Sequence, residues 1–493
     1  MGNCVGCPRI YCYTACMRFG IDFGTTHTVV AVVDRGNYPI VSFEHTDAIP
    51  SIVSLDPEGE VHFGRSEAGW TVLRSFKRLL DEGHPEAEVR IGNRPFTLAD
   101  LLTRFLAHVR EQLFHHSNAG LRKKDKIEAA VSVPANASTA QRLITMDAYR
   151  RAGFDLKAVL NEPSAAGFEY AHRFRETVTA KREYVLVYDL GGGTFDASLI
   201  HMEGRTNEVI TSNGISRLGG DDFDEAIARL VLAKRRGSSL TPQLLDEVRE
   251  QKESLNPNTR KFVVDDTVVA VDEIYDACSP LIEQTLAAME PAMRDPRRGA
   301  DEVAWTELAG IYVVGGASSF PPVYRRLRDK FGSHRVRRSP HPFGSCAIGL
   351  AIHLDEGAGY KLTERLTRHF GVFREDEHGG RISFDVLVPK DTPLPTNVSR
   401  RYRAAHNVGH YRFVECGRID GGRPEGNLAA WDEVLFPFDP SLRGRDLAAI
   451  QVQRLGHGPE VEEIYQCRAD GTVTASLRVL DDGFERTLRL SRR

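Results

Sequence analysis

The sequence predicts an α/β domain followed by an all-β domain. Strand-like apolar runs alternate with amphipathic helical runs from residue 18 to about residue 354, which is typical of α/β proteins. From about residue 371 the runs are short, alternate between apolar and polar positions and are separated by turn signals, which is typical of all-β domains. We therefore expect an α/β domain over 18–354, a linker over 355–370 and a β-sandwich over 371–493.

Composition limits the classes of function. The chain has 493 residues, enough for two or three domains with substantial cores. It carries 64 Lys and Arg residues against 68 Asp and Glu residues, which gives no support for binding to nucleic acid or to an anionic membrane. No apolar run approaches the roughly 20 residues of a membrane span, and the N-terminus lacks the pattern of a secretory signal. The expected compartment is the cytoplasm.

Half of the eight cysteines crowd the start of the chain, at Cys4, Cys7, Cys12 and Cys16. Four thiolates could bind zinc or an iron–sulfur cluster. No second C-x-x-C half-site follows, so we favour a disordered or non-native extension over 1–17. The remaining cysteines lie in apolar contexts and are expected to be core thiols: Cys278, Cys346, Cys416 and Cys467.

The elements of the α/β region follow from periodicity and capping residues. A helix is expected from Ser138-Thr139 to about Arg151, and another from Pro321-Pro322 to Phe331, because Pro favours the first helical turn. The other assignments are strands at 127–134 and 311–314, a hairpin at 184–189 and 197–202, and amphipathic helices at 221–236 and 242–255. In the β-region the predicted strands are 382–388, 411–415, 449–455, 461–466, 473–479 and 487–490.

A repeated turn is the most informative motif. Asp22 and Asp189 each end an apolar strand, and each is followed by a Gly/Thr turn and a second apolar strand, within residues 20–28 and 188–196. One such turn would be an ordinary hairpin. Two matched turns, each with its own acid, are what a site needs to hold a metal-bound phosphate chain from two sides. They make nucleotide binding the first hypothesis.

These turns differ from the common glycine-rich phosphate loops. P-loop and Rossmann turns run into a helix, whereas both turns here run into strands. Glycine lets the backbone approach closely, so that successive N–H groups can point at an anion. Thr25, Thr26 and Thr194 add hydroxyl donors. Asp22 and Asp189 would face Mg²⁺ through water, because Mg²⁺ prefers oxygen ligands and keeps its own waters.

Several segments together resemble the heat shock protein 70 chaperones, within the superfamily of actin-like ATPases. Residues 19–28 resemble the first phosphate motif of that family and residues 188–196 the second. Further similar segments are 131–134 with 140–142, 161–166, 218–224 and 313–321. The resemblance covers 18–354 and continues more weakly beyond. It implies an actin-like domain of two ribonuclease-H-like lobes followed by a β-sandwich.

The resemblance also implies roles for individual residues. Lys77 matches the catalytic lysine, whose ammonium can stabilise charge on the γ-phosphate and orient the attacking water. Without that match, Lys77 would be assigned to a solvated helix. Glu162 and Asp189 would hold the metal waters and the attacking water, and Thr194 would line the γ-phosphate. The residues implied to bind ATP or ADP are Gly24, Thr25, Thr26, His27, Gly191, Gly192, Gly193, Gly219, Gly220, Lys252, Gly315, Gly316 and Ser319.

The base end of the predicted site departs from the family. An arginine that stacks on the base is replaced by Ser319, at a cost of about 1–2 kcal/mol of cation–π energy. Lys252 is kept in the helix that contacts the ribose, but Arg249 stands where the family has an acid. Residues 342–349 also differ from the family motif. Phosphate chemistry is thus better supported than selectivity for adenine.

The residues that connect the two domains also differ from those of the family. Pro134 and Arg142 match residues that pass the nucleotide state to the partner domain, but the linker segment 360–366 is charged where the family is rich in leucine. Ala158 replaces a basic residue that binds J-domain cochaperones, which argues against a standard partnership of that kind. A nucleotide-exchange factor remains among the implied partners.

The β-region resembles a peptide-binding sandwich at residues 392–396 and 468–476. Unfolded or extended polypeptides would bind as an added strand through backbone hydrogen bonds. No helical lid follows in this sequence, so we expect fast exchange of bound peptide.

Three hypotheses follow. The first is an ATP-hydrolysing chaperone that binds extended segments. The second is a nucleotide-dependent scaffold or sensor with slow hydrolysis and one dedicated partner. The third, a small-molecule kinase on the same fold, is disfavoured by the β-region and by the motif at Asn161-Glu162-Pro163.

Overall fold

The computed structural model describes residues 16–44, 46–81, 84–235, 239–299, 302–376, 380–431 and 433–489. It contains two α/β lobes followed by a β-sandwich, so the predicted fold class is confirmed. Three of the four clustered cysteines, Cys4, Cys7 and Cys12, lie outside the described residues. Cys16 is exposed at the start of the first strand.

The first lobe is built around a five-stranded sheet. Its helices are α1 (Leu98–His115), α2 (Thr139–Arg151) and α3 (Glu162–Arg173). Its strands are β1 (Cys16–Phe23), β2 (His27–Val32), β3 (Ile49–Pro50), β4 (Val53–Leu55), β5 (Val61–Phe63), β6 (Thr71–Leu73), β7 (Glu88–Ile91), β8 (Arg94–Thr97), β9 (Lys126–Val133) and β10 (Asp155–Asn161). The main sheet has the order β10-β9-β1-β2-β3. Helix α2 begins as predicted because the Ser138 hydroxyl accepts a hydrogen bond from the Gln141 N–H at 3.3 Å.

The second lobe repeats this plan on a six-stranded sheet. Its helices are α4 (Gly220–Arg235), α5 (Pro242–Glu253), α6 (Val271–Met289), α7 (Pro321–Phe331) and α8 (Ser345–Leu354). Its strands are β11 (Tyr184–Leu190), β12 (Phe195–Glu203), β13 (Thr206–Ile215), β14 (Lys261–Val264), β15 (Thr267–Ala270), β16 (Leu308–Val314), β17 (Val336–Arg338) and β18 (Lys361–Thr363). The sheet has the order β17-β16-β11-β12-β13-β18. The charged segment assigned to a linker therefore supplies an edge strand, β18, parallel to β13.

Helices α3 and α8 pack between the two sheets and share one buried core with both. They approach closely at glycine, since a Cβ on Gly349 would lie 1.7 Å from the Ala165 carbonyl oxygen. Helix α8 meets β1 in the same way, because a Cβ on Gly20 would lie 2.1 Å from the Ala347 carbonyl oxygen. These contacts hold the starts of α3 and α8 near the ends of β1 and β11.

The β-sandwich has two four-stranded sheets, in the orders β20-β19-β23-β26 and β21-β28-β29-β30. Its strands are β19 (His369–Asp376), β20 (Arg381–Val388), β21 (Thr396–Arg403), β22 (Val408–Tyr411), β23 (Phe413–Cys416), β24 (Arg418–Asp420), β25 (Arg423–Glu425), β26 (Ala429–Ala430), β27 (Val434–Pro437), β28 (Glu460–Cys467), β29 (Val473–Val479) and β30 (Glu485–Arg489). The core between the sheets is rich in aromatic rings, including Phe370, Phe413, Trp431 and Tyr465.

One predicted strand is wrong. Residues 449–455 follow a 3-10 turn at Leu447–Ala449 and run as irregular chain. The reason is that Asn407 takes the hydrogen bonds of this segment: its N–H donates to the Gln453 carbonyl at 3.0 Å and its side chain accepts from the Gln453 N–H at 2.8 Å. The segment makes an isolated β-bridge between His406 and Arg454, and the Asn407 side chain bonds the backbone beside it in place of a longer ladder. Within the described residues no helix has the length and apolar character to cross a bilayer.

Candidate nucleotide-binding site

The two acid-glycine turns have the same local geometry and meet face to face. The Gly24 N–H donates to the His27 carbonyl at 3.0 Å, and the Gly191 N–H donates to the Thr194 carbonyl at 3.0 Å. Both turns lead into strands, as predicted. A Cβ on Gly192 would lie 2.5 Å from the Thr26 methyl group, so only glycine allows the two turns to approach this closely.

Lys77 lies beneath the turns. It sits in a 3-10 turn, Phe76–Leu80, whose residues Phe76 and Leu80 are buried in the first lobe. Its ammonium donates to Glu162 Oε1 at 2.6 Å and also to the Phe23 carbonyl. With only 7% of its surface exposed, Lys77 is not a solvated helix cation.

Acidic side chains surround Lys77 and outnumber it. Asp22 accepts a hydrogen bond from the Ser132 hydroxyl at 2.7 Å, and Asp189 lies on the opposite turn. Asp196 faces Asp189 across the β11–β12 hairpin. We call Asp22, Glu162, Asp189 and Asp196 the acidic floor.

Burial and mutual repulsion raise the pKa values of these acids. Burial, together with the nearby Glu162, raises the pKa of Asp22 to about 6 although Lys77 opposes the shift. Burial and Glu162 also raise the pKa of Asp196 to about 8 and hold that of Asp189 well above its usual range. Burial alone would lower the pKa of Lys77, but Glu162 and Asp22 outweigh it and raise that pKa. A region with excess buried carboxylate and one ammonium suits a divalent cation.

The amino end of α4 supports the second turn. The Gly220 N–H donates to the Gly191 carbonyl at 3.0 Å, and the Asp221 N–H donates to the Gly192 carbonyl at 2.9 Å. A Cβ on Gly219 would lie 2.7 Å from the Gly191 carbonyl oxygen. The helix end and the turn thus form one packed unit in which a side chain at 219 has no room.

Arg78 joins the two lobes across the turns, a role that the sequence analysis missed. Its guanidinium donates to the Gly193 carbonyl at 2.8 Å and to Asp222 at 2.6 Å. Nearby, Arg74 pairs with Asp246 at 2.7 Å, again between lobes. The only signal in the sequence was the basic character of the residues flanking Lys77.

A cavity of about 300 Å³ extends from the turns between α4, α5 and the start of α7. Thr26, Gly192 and Gly220 line its inner end, and Ser319 and Leu255 line its outer end. Other residues on its wall include Asp221, Asp224, Arg249, Lys252, Glu253, Gly316, Phe320 and Phe343. The cavity therefore runs from the predicted phosphate turns to the predicted base position.

Two basic residues on this wall are already neutralised. The Lys252 ammonium donates to the Gly220 carbonyl at 2.9 Å and pairs with Asp224 at 2.6 Å. Arg249, which replaces an acid of the family, pairs with Asp224 at 2.9 Å and with Asp221 at 3.0 Å. Because both side chains are already paired with carboxylates, they are less available to bind a further anion.

The remaining predicted residues lie around this cavity. Gly315 has a φ of 83° and would place a Cβ 2.3 Å from the Leu190 carbonyl oxygen. A Cβ on Gly316 would lie 2.3 Å from the Phe343 ring. His27 packs edge-on against that ring at 5.9 Å, and burial lowers its pKa.

The four predicted core thiols are buried, as expected. Cys346, however, also touches the site: its Sγ lies 3.4 Å from the Glu162 carbonyl oxygen and 3.8 Å from Asp189 Oδ2. Within the described part of the chain, no group of three or more His, Cys, Asp or Glu residues forms a candidate metal centre. Asp22 and Asp189 therefore stay predicted metal-facing residues that act through water.

A hydrogen-bond path connects the acidic floor to the β-sandwich. Asn161 immediately precedes Glu162, and its N–H and side-chain amide donate to Glu364 at 3.2 and 2.9 Å. Arg142 donates to the Asn161 side chain at 2.6 Å and to the Asp470 carbonyl of the sandwich at 3.2 Å. Burial raises the pKa of Glu364. The predicted coupling residue Arg142 thus contacts both sides of the junction.

Comparisons with known proteins agree with this architecture. The family model described as Hsp70 protein matches residues 75–361, more than half of the chain. A chaperone protein HscA homolog of Acidithiobacillus ferrooxidans is 29% identical over 418 residues, which cover 77% of this chain and 64% of the relative. Chaperone protein DnaK of Thermosipho melanesiensis is 26% identical over 511 residues, which cover 96% and 80%. The heat shock 70 kDa protein BIP3 of rice is 28% identical over 513 residues, which cover 93% and 72%. The chain thus spans about 64% of the length of the HscA relative.

Proposed function

The chain belongs to the Hsp70 family, and on that premise we propose that it binds ATP and ADP with Mg²⁺, hydrolyses ATP slowly and acts as a chaperone. The observation that carries the proposal is the buried pair of Lys77 and Glu162, 2.6 Å apart, beneath two matched turns. The turns supply backbone and hydroxyl donors for phosphate oxygens. The acidic floor supplies oxygen atoms that a hydrated Mg²⁺ prefers.

In this proposal, Lys77 stabilises charge that develops on the transferred phosphoryl group, and Glu162 positions both Lys77 and the attacking water. Asp22 and Asp189 hold the metal waters from opposite lobes. Thr194 lines the γ-phosphate. Phosphoryl transfer depends largely on such positioning and electrostatic stabilisation, because the protein need form no covalent bond to the nucleotide.

The proposed substrate of the β-sandwich is an unfolded or extended polypeptide that binds as an added strand. The path through Asn161, Glu364 and Arg142 supports coupling, since it joins Glu162 to the junction with the sandwich. A nucleotide-exchange factor belongs to this proposal. A J-domain partner does not, because Ala158 lacks a charge. The cytoplasmic location stays a prediction.

Peptide-stimulated turnover tests the chaperone function. ATP hydrolysis is measured with and without a set of unfolded peptides, and stimulation of several fold that disappears in Asn161→Ala is expected. Asn136→Ala is a matched control, because the Asn136 carbonyl rather than its side chain contacts the sandwich residue Arg368, at 3.4 Å. If no peptide changes the rate of ATP hydrolysis, the proposed chaperone function is refuted, while the proposed ATPase activity stands.

A second candidate, a nucleotide-dependent scaffold with one dedicated partner, is favoured by the closed junction. Glu415 of the sandwich accepts from the Thr139 N–H at 3.2 Å, and Arg365 pairs with Glu208 at 2.6 Å. Such a buried polar junction would hold the sandwich against the first domain. Binding of one native protein, with no response to peptides, would support this function over the first.

A further inference from the structure

The base end of the nucleotide cavity adjoins a second cavity. Glu253, Leu255 and Ser319 line both spaces, and the outer one measures about 710 Å³. Ser319 is much shorter than the arginine that the family has at this position, so it leaves the boundary between the two cavities less filled.

A carboxylate, that of Glu253, lines both cavities. Glu253 ends α5 and is exposed, and it has no hydrogen-bond or ion-pair partner in the described parts of the chain. Its neighbour one residue earlier, Lys252, is turned inward and paired with Asp224. The two oxygens of Glu253 are thus available as acceptors beside the base.

A guanidinium contacts the same boundary. Arg338 ends β17, lines the outer cavity and donates to the Ser319 hydroxyl. No carboxylate pairs with it within the described residues. A guanidinium therefore reaches position 319 from a different strand, and its other N–H groups are available as donors.

This pair of groups fits guanine better than adenine. Guanine presents two adjacent donors, N1–H and the 2-amino group, which match the two oxygens of a carboxylate. It also presents two adjacent acceptors, O6 and N7, which match a guanidinium. Adenine offers its 6-amino group between two acceptors, so a carboxylate gains one hydrogen bond and faces a lone pair.

We propose that Glu253 and Arg338 read guanine at the base end of this site, so that the protein binds GTP at least as tightly as ATP. This inference rests on the proposed function, since it assigns the base of the nucleotide whose phosphates occupy the turns. It assigns no new step to the hydrolysis.

Calorimetry with Mg²⁺ and GTP, ATP or XTP tests the inference on the wild-type chain and on two variants. A good bidentate pair discriminates bases by roughly 1–3 kcal/mol, about 5- to 150-fold. Glu253→Gln should weaken GTP binding about tenfold or more and tighten XTP binding by a similar factor, because an amide can donate to the 2-carbonyl group of xanthine. Arg338→Gln should weaken GTP binding about tenfold.

Two neighbouring substitutions serve as controls. Glu250→Gln changes an exposed acid on the same helix, and Arg326→Gln changes an arginine that pairs with Glu283 at 2.5 Å away from the cavity. Neither should alter the GTP to ATP ratio. Circular dichroism checks that each variant is folded.

The outcomes separate the two proposals. If the wild-type chain binds ATP but GTP more weakly, or if Glu253→Gln leaves the ratio of GTP to XTP affinity within threefold, the guanine inference is overturned and the proposed function stands. If no nucleotide binds, both are overturned.

Discussion

The acidic floor of the nucleotide site and the interior of the β-sandwich both bury several ionisable groups, but they balance charge differently. In the sandwich, the fully buried Glu463 pairs with Arg374 at 2.6 Å and accepts from the Tyr402 and Tyr465 hydroxyls at 2.5 and 2.7 Å. Arg374 also pairs with Asp385 at 2.8 Å, and Arg400 pairs with the same carboxylate at 3.7 Å, so two acids are matched by two bases. We call these residues the sandwich cluster.

In the acidic floor, four carboxylic acids face the single ammonium of Lys77, and the pKa values of three of them are raised. The sandwich cluster is internally satisfied and needs nothing further, as buried structural charges normally are. The acidic floor has more carboxylic acids than positive charges. Burying these acids therefore costs free energy until a cation binds. Raised pKa values of this kind concentrate at functional sites. Charge balance thus separates a structural cluster from a candidate catalytic one in the same chain.

The largest expected effect is the loss of hydrolysis in Lys77→Ala. Removing the only ammonium of the floor should lower the single-turnover rate by at least about 10²–10³-fold, the usual cost of one transition-state donor, while ATP binding stays within a few fold. Single-turnover hydrolysis by rapid quench measures this. Lys330→Ala, at a surface pair with Glu290 at 3.3 Å, is the control. An unchanged rate in Lys77→Ala would refute the role assigned to Lys77.

Next in size is the loss of stability in Arg374→Met. The variant leaves Glu463 buried without its partner, which should cost about 3–5 kcal/mol of the free energy of unfolding of the sandwich. Denaturant unfolding followed by fluorescence of the buried Trp431 measures the change. Nucleotide affinity should not change.

Arg401→Met is the matched control for that experiment. Arg401 pairs with Glu462 at 2.6 Å, but its side chain is 63% exposed, so the loss should be about 1 kcal/mol or less. Equal losses in Arg374→Met and Arg401→Met would show that the sandwich cluster is not held by its internal pairing.

A smaller effect is expected for Asp189→Asn. This change removes one predicted metal-facing carboxylate, so the affinity for the Mg²⁺ nucleotide should fall about 10- to 100-fold. The same change relieves repulsion in the floor and should raise the melting temperature of the nucleotide-free protein. Calorimetry and thermal unfolding measure the two effects. Asp385→Asn, in the sandwich cluster, should leave nucleotide affinity unchanged; a comparable loss there would remove the contrast between the clusters.

The smallest effect concerns pH and Asp196→Asn. Because the pKa of Asp196 is about 8 when folded and about 3.8 when unfolded, the folded chain holds a proton that the unfolded chain releases between these values. The contribution of Asp196 to wild-type stability should therefore fall as pH rises from about 4 to about 8 and then level off.

Asn does not titrate, so the stability of Asp196→Asn relative to wild type should increase by about 1–2 kcal/mol between pH 7 and pH 9, where the folded wild type loses its proton. Denaturant unfolding at several pH values measures this difference. The exposed Asp147→Asn, which loses a helix-surface pair with Arg151 at 3.6 Å, should show no such trend. A relative stability of Asp196→Asn that does not depend on pH would mean that Asp196 is not protonated in the folded chain.

Much of the fold could be predicted because local patterns decide it. Strand alternation located β20, β28, β29 and β30 of the sandwich but missed β19 and β21, and the Ser138 cap located the start of α2. Strand alternation predicted a strand wrongly at residues 449–455. There the side chain of Asn407, which is distant in the chain, bonds the backbone in place of a longer strand ladder. An alternating pattern does not show whether a neighbouring strand exists.

The two acid-glycine turns, their exit into strands and the burial of the core thiols could all be predicted from the amino-acid sequence. They depend on residue type and on short-range backbone chemistry. Three features depend on contacts between remote segments: which acids share the floor with Lys77, that Arg338 contacts Ser319, and that the charged segment after α8 becomes strand β18. Burial and the distances between charges arise when remote segments pack together. No single motif could therefore predict the pKa values of the acidic floor or the polarity of the base end.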